Sequence, residues 1–220
     1  MTEKLKYFCF QILLITIIIW IVLFVIEMNR SVELSEEAIT ELEEYIEIIR
    51  KENKILREQL EKYKALSRYI EDQLKKANPG ISVNQINKLI SLFWEQVKEY
   101  KFNPWETASW IFQESEFKIT AISHKGAIGI TQIMPKTGEQ VAGWLGIKWE
   151  SSKILLDPEI NLRIGFYHLA WGRKNSVNRH QTFSMYFWGY GNVKRKGLVE
   201  TVYSKQIFER AASLEGLQSA

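Results

Sequence analysis

A single cysteine, Cys9, occurs in 220 residues, so no disulfide can close within the chain. A lipid-bearing cysteine of a bacterial lipoprotein would follow an apolar run. Cys9 instead stands at the front of one and reads as a membrane-embedded apolar residue. Histidine is scarce too: His124, His168 and His180 show no ligand spacing, which argues against a metal site, and no cofactor is implied. Neither sign of charge dominates, with 29 Lys+Arg against 26 Asp+Glu, so nothing points to a nucleic-acid partner. Phosphate-binding glycine loops and a nucleophile elbow are absent, as are internal repeats, low-complexity stretches and long alternating strand patterns. Proline and glycine are both missing from Ser31 to Asn78, which leaves that stretch free to be one helix.

What is present begins with Tyr7 to Ile26, an apolar run interrupted only by Gln11 and Thr16. Crossing a bilayer takes about 20 such residues in a helix. The exit, Ile26-Glu27-Met28-Asn29-Arg30, offers no small-x-small cleavage site, so an uncleaved anchor is expected over a removed signal peptide. A buried helix of a soluble protein is the alternative. Lys4 and Lys6 precede the span, and seven glutamates from Glu33 to Glu47 follow it before Arg50. The positive-inside bias places residues 1–6 in the cytoplasm and everything after 7–26 outside.

Residues 31–78 carry apolar side chains every seven positions. Val32, Ile39, Ile46, Asn53, Leu60, Ser67 and Leu74 form one series; Leu42, Ile49, Leu56, Tyr63, Ile70 and Ala77 form the other. Isoleucine at a, leucine at d and one asparagine at a favour a parallel two-stranded coiled coil, which predicts a homodimer through residues 32–77. The competing reading is a helix docked on its own outer domain or on a partner. Asn78-Pro79-Gly80 ends the stalk. Beyond it, residues 80–215 read as a mainly helical domain, with 216–220 as a tail. Ser82 with Gln85, Asn103-Pro104 and Asp157-Pro158 are helix starts. The expected helices are 82–100, 104–115, 135–144, 158–174, 179–188 and 199–213, with a short hairpin within 119–133.

Helix 104–115 sets Trp110 and Ile111 one turn before Glu114 on the same side. Apolar contact and the negative end of the helix dipole both disfavour the carboxylate there, so the acid should hold its proton to higher pH, as general-acid chemistry requires. A surface glutamate at a helix end is the plain alternative. The loop that follows shifts the balance. Gly126 and Gly129 permit tight turns, and Gln132 offers both a donor and an acceptor to sugar hydroxyls.

Residues 110–137 resemble the soluble lytic transglycosylase family, whose fold is similar to goose-type lysozyme. Glu114-Ser115 matches its Glu-Ser motif, and Gly126 through Thr137 match its Gly-Ala-x-Gly-x-x-Gln-x-Met-Pro-x-Thr block. Asn161 and Gly165 match a later Asn-x-x-x-Gly block, Tyr186 to Val193 resemble Tyr-Asn-x-Gly-x-Gly-Asn-Val, and Glu200-Thr201 precede a final helix. The resemblance covers about residues 90–210. It implies a lysozyme-like α+β domain with Glu114 as the single acid/base, Gln132 and Met134 lining a glycan cleft, Tyr186 near the glutamate, Ser115 ordering the site and Glu200 supporting it. Phe187 stands where the family usually has asparagine, and His168 where it usually has tyrosine; His168 reads as a packed aromatic substitute.

The implied activity is cleavage of the MurNAc–GlcNAc β-1,4 bond of peptidoglycan with formation of 1,6-anhydroMurNAc, outside a bacterial inner membrane. Glu116 is a second carboxylate in the same run and reads as a solvated charge. Two alternatives stand beside this reading: a lysozyme-like muramidase in which water attacks, and a non-catalytic wall-binding or scaffold protein of an envelope-spanning apparatus.

Overall fold

A computed structural model describes the backbone of residues 3–216 and the side chains from Leu13 onward, Leu34 excepted. Met1, Thr2, the tail beyond Gly216 and the side chains of Lys4, Lys6 and Cys9 lie outside the described residues. The chain divides into two compact units, Met1–Gln59 and Leu60–Ala220.

The first unit is the greater part of helix α1 (Glu3–Ala77). Trp20, Phe24 and Ile26 are exposed. Among the described residues α1 is the one helix long and apolar enough to cross a membrane by length and composition. Ile39, Leu42, Ile46 and Ile49 on the heptad seam are also exposed.

The second unit begins with the last turns of α1. Leu66, Ile70 and Leu74, at helical i, i+4 spacing, are 2% exposed or less and belong to the main hydrophobic core with Phe93, Trp110 and Phe166. The heptad pattern assigns Ile70 and Leu74 to an intermolecular seam; here the domain itself covers them. Ser67, a polar break in that seam, has a matching role: its Oγ accepts the indole N–H of Trp94 at 2.9 Å. The compact unit thus starts at Leu60, some twenty residues before the expected boundary at 80.

The remaining helices are α2 (Val83–Tyr100), α3 (Pro104–Ser115), α4 (Pro135–Trp144), α5 (Pro158–Lys174), α6 (Arg179–Trp188), α7 (Tyr190–Lys196) and α8 (Val202–Gly216). Their starts are chemically marked. Ser82 Oγ accepts from the Gln85 amide, Asn103 Oδ1 from the Trp105 and Glu106 amides, and Asp157 Oδ1 from those of Glu159 and Ile160, as N-cap side chains do. Proline follows Asn103 and Asp157 where its missing N–H is harmless. Two short elements carry no readable periodicity and were not expected: α7, closed between Gly189 and Gly197 at positive φ, and a 3-10 helix at Ser152–Leu156. In place of the expected hairpin, residues 119–133 form isolated antiparallel bridges, Ile122 with Ile128 and Ile128 with Ile133, and no strand occurs among the described residues.

A domain that buries three large side chains of α1 depends on them. Each contributes about 1.5–3 kcal/mol, and together they rival the whole stability of an ordinary domain. A fragment spanning 60–220 is expected to unfold cooperatively in urea, whereas 81–220 should show a broad or absent transition by tryptophan fluorescence.

Candidate active site

Helix α3 ends abruptly, and its end presents Glu114. Glu116 and Phe117 both adopt left-handed conformations, with φ of 51° and 61°, which non-glycine residues rarely accept in succession. Two anchors hold them. Phe117 is buried in the core, and the Asn78 side chain donates to the Phe117 carbonyl at 2.9 Å while accepting the Ile119 amide at 3.0 Å. Asn78 therefore ends α1 and also fixes the turn after the candidate acid.

Glu114 is half-buried, and burial pushes its carboxyl from an ordinary 4.5 up to about 7. The Tyr203 hydroxyl donates a hydrogen bond to Glu114 Oε1, which opposes the rise by favouring the charged form. Tyr203 lies in the first turn of α8, the helix against which α3 mainly packs. Its placement begins one step earlier in the chain. Thr201 and Ser204 bond to each other across the start of α8, and Thr201 Oγ1 meets Ser184 Oγ of α6 at 2.9 Å. The Glu-Thr pair seen in the sequence thus contributes through Thr201. Glu200 is exposed and faces His180 at 3.6 Å and Lys205 at 3.9 Å, and no hydrogen bond joins it to Glu114 among the described residues.

The glycine-bearing loop is held from three helices by its carbonyl groups. Ser115 Oγ of α3 donates to the Ile130 carbonyl and Tyr186 Oη of α6 to the Thr131 carbonyl, both at 2.6 Å. From α5, the buried Asn161 accepts the Thr131 amide at 2.9 Å and its hydroxyl at 2.6 Å, and donates to the Ile128 and Leu155 carbonyls. A Cβ on Gly129 (φ +83°) would stand 2.1 Å from Asn161 Nδ2, and one on Gly165 would stand 2.4 Å from Thr131 Oγ1. The Asn-x-x-x-Gly spacing has a physical meaning: residues four apart share a helix face, and that face lies directly on the loop. Gln132 (φ 52°) gives its side-chain amide to the Gly129 and Ala121 carbonyls at 2.8 and 3.2 Å. Its N–H groups brace the loop.

Tyr186 packs edge-on against the buried Trp110, with ring centroids 4.9 Å apart, and against His168 at 5.2 Å. Burial and the Glu114 charge hold the Tyr186 phenol well above its ordinary range. Burial drives His168 down to about 4, so it is a neutral ring stacked near Trp171. Phe187 is exposed and stacks on Tyr203 at 4.5 Å. Met134 is exposed at the start of α4.

An open groove of about 1050 Å³ runs past Glu114 and Ser115, between the end of α1 and α8. Gln132, Met134, Tyr186 and Glu200 are not on its wall. Of the other acids nearby, Glu116 and Glu209 are exposed on that wall and the buried Glu106 pairs with Arg179. The arrangement supplies one protonated acid near neutral pH. Tyr203 went unremarked in the sequence although it lies two residues after Glu-Thr; a tyrosine in the first turn of the last helix was the available signal.

The raised pKa has a cost that can be measured without substrate. An unfolded chain releases the Glu114 proton near 4.5, and the folded one near 7. The group's contribution to stability is therefore most favourable below the unfolded value, falls as pH rises through this window, and is constant above it. Replacing Glu114 by Gln should stabilise the protein by about 2 kcal/mol at a pH of about 8 and by little at about 4, read from urea midpoints.

The family model for the transglycosylase SLT domain matches residues 91–208. No curated protein matches the chain. Among solved structures, an inactive mutant of the lytic transglycosylase Slt from Pseudomonas aeruginosa shares 22% identity, with a TM-score of 0.49 over 59% of this chain and 23% of that one. The 70 kDa soluble lytic transglycosylase SLT70 from Escherichia coli also shares 22%, with a TM-score of 0.46 over 69% of this chain and 28% of that one. The chain spans about a quarter of the length of these structures. With more than half of its residues inside the family match, the chain belongs to the transglycosylase SLT family.

Proposed function

We propose that the protein is a membrane-anchored lytic transglycosylase that cleaves the MurNAc–GlcNAc β-1,4 bond of peptidoglycan and leaves a 1,6-anhydroMurNAc end. The observation that carries this reading is a lone carboxyl, Glu114, held near a pKa of 7 at the edge of a groove by burial, with Tyr203 as its hydrogen-bond partner. Two-carboxylate glycosidases divide acid and base or nucleophile between two groups; here Glu114 serves twice. Protonated, it gives its proton to the glycosidic oxygen as the bond to the anomeric carbon breaks. As the carboxylate, steadied by the Tyr203 hydroxyl, it takes the proton from the MurNAc 6-hydroxyl, whose oxygen then closes on the anomeric carbon. Gln132 and Met134 contact the glycan, Ser115 and Tyr186 position the loop, and Glu200 supports the start of α8 from outside.

The apolar run at 7–26 spans the inner membrane with residues 1–6 in the cytoplasm, and the outer domain works in the periplasm. The exposed seam from Val32 to Leu60 joins two copies in parallel; beyond it, Ile70 and Leu74 are already covered.

Mass spectrometry of digested peptidoglycan should show anhydro ends, and reducing MurNAc ends in their place would overturn the transglycosylase assignment in favour of hydrolysis. Glu114→Gln should lower kcat by about 1000-fold or more, since it removes both proton transfers. The rate of the parent should fall as pH rises through about 7, where the acid is lost. Tyr203→Phe removes a bond that favours the carboxylate, so this limb should move to higher pH. For the dimer, Ile39→Cys in a Cys9→Ser background should oxidise to a linked pair, because facing a positions lie within disulfide reach, while Glu44→Cys on the outer face should not.

A further inference from the structure

The groove beside Glu114 holds a cation with no counterion among the described residues. Arg210, in the third turn of α8, stands over the Phe112 ring with its guanidinium carbon 3.9 Å from the ring centre. Its Nε is buried and has no hydrogen-bond partner, and no carboxylate pairs with the guanidinium among the described residues. Glu209 and Glu116 share the groove wall without pairing with it. An arginine cannot shed its charge, and a guanidinium held by stacking keeps its donors aimed in a fixed fork that suits a planar, two-oxygen acceptor. Tyr69, Gln73 and Lys76 of α1 and Lys118 stand on the same wall, which adds positive charge and hydrogen-bonding groups.

We propose that Arg210 is the centre of a carboxylate-binding site that takes an acidic group of the peptides carried by the glycan strand. The proposal rests on the reading of Glu114 given above: a strand lying at Glu114 brings its peptide substituents into the adjoining groove. Arg210 and its α1 neighbours lie outside the family-matched residues 91–208, whereas Phe112, Ser115 and Lys118 of the same groove lie inside them.

The test is binding by full-length protein in detergent carrying Glu114→Gln, which separates recognition from cleavage. Its affinity is measured for glycan strands bearing peptides and for strands stripped of them. The peptide-bearing strands should bind about tenfold tighter, the range of one charge-assisted pair. Adding Arg210→Gln should bring that ratio to about one, and Arg210→Lys, which keeps charge without the fork, should leave an intermediate value. A folded double variant with an unchanged ratio overturns the proposal, as does equal binding of the two strands before Arg210 is altered. Should Arg210→Gln fail to fold, Lys76→Gln on the exposed side of α1 is the second variant, expected to reduce the ratio about twofold; no change in that ratio also counts against the site. Tighter binding of a peptide-free anionic phosphate polymer than of peptide-bearing strands would overturn the carboxylate assignment. The Glu114 reading fails separately, if the parent protein cleaves neither strand while the binding ratio persists.

Discussion

A carboxyl that must keep its proton at neutral pH has to leave water, yet a polar group taken out of water needs a partner. Burial meets the first demand and the Tyr203 hydroxyl the second, at the junction of α3 and α8. Burial raises the pKa and the phenol restrains the rise. The ordering of the domain serves that contact. Thr201, Ser204 and Ser184 fix the first turn of α8, and Phe187 stacks on the far side of the Tyr203 ring.

The loop opposite Glu114 obeys a second constraint. It has little regular structure, so its backbone carbonyls and amides find their partners in side chains. Ser115, Tyr186 and Asn161 supply them from three separate helices. Asn161 is fully used, donating twice and accepting twice, and a satisfied buried network of this kind specifies one geometry. Gly129 and Gly165 are small because Asn161 and Thr131 occupy the space a side chain would need.

The long helix α1 shows how one periodicity can serve two surfaces. Residues four apart, and residues of a heptad seam, fall on overlapping faces of a helix. The exposed positions from Val32 to Leu60 are covered by no other segment among the described residues, whereas Leu66, Ile70 and Leu74 are core residues of the outer domain. That packing also turns Tyr69, Gln73 and Lys76 into one wall of the groove at Glu114.

Much of the fold was legible in the residues themselves. Capping side chains and the prolines after them marked the starts of α2, α3 and α5, because the unpaired amides of a first turn impose a local requirement. The candidate acid and its glycine loop were legible for the same reason: left-handed turns and close helix contacts restrict the residue types that fit. The hydrogen bond from Tyr203, eighty-nine positions beyond Glu114, was not legible, nor was the capture of the last turns of α1 by the domain. Both depend on which surfaces meet, and side-chain spacing within one segment carries no information about the segment it will touch. Sequence alone determined the longer helices of the outer domain and the caps of α2, α3 and α5, and it singled out Glu114 as the candidate acid; tertiary structure alone decided the surroundings that raise its pKa, since burial exists only after distant helices have packed.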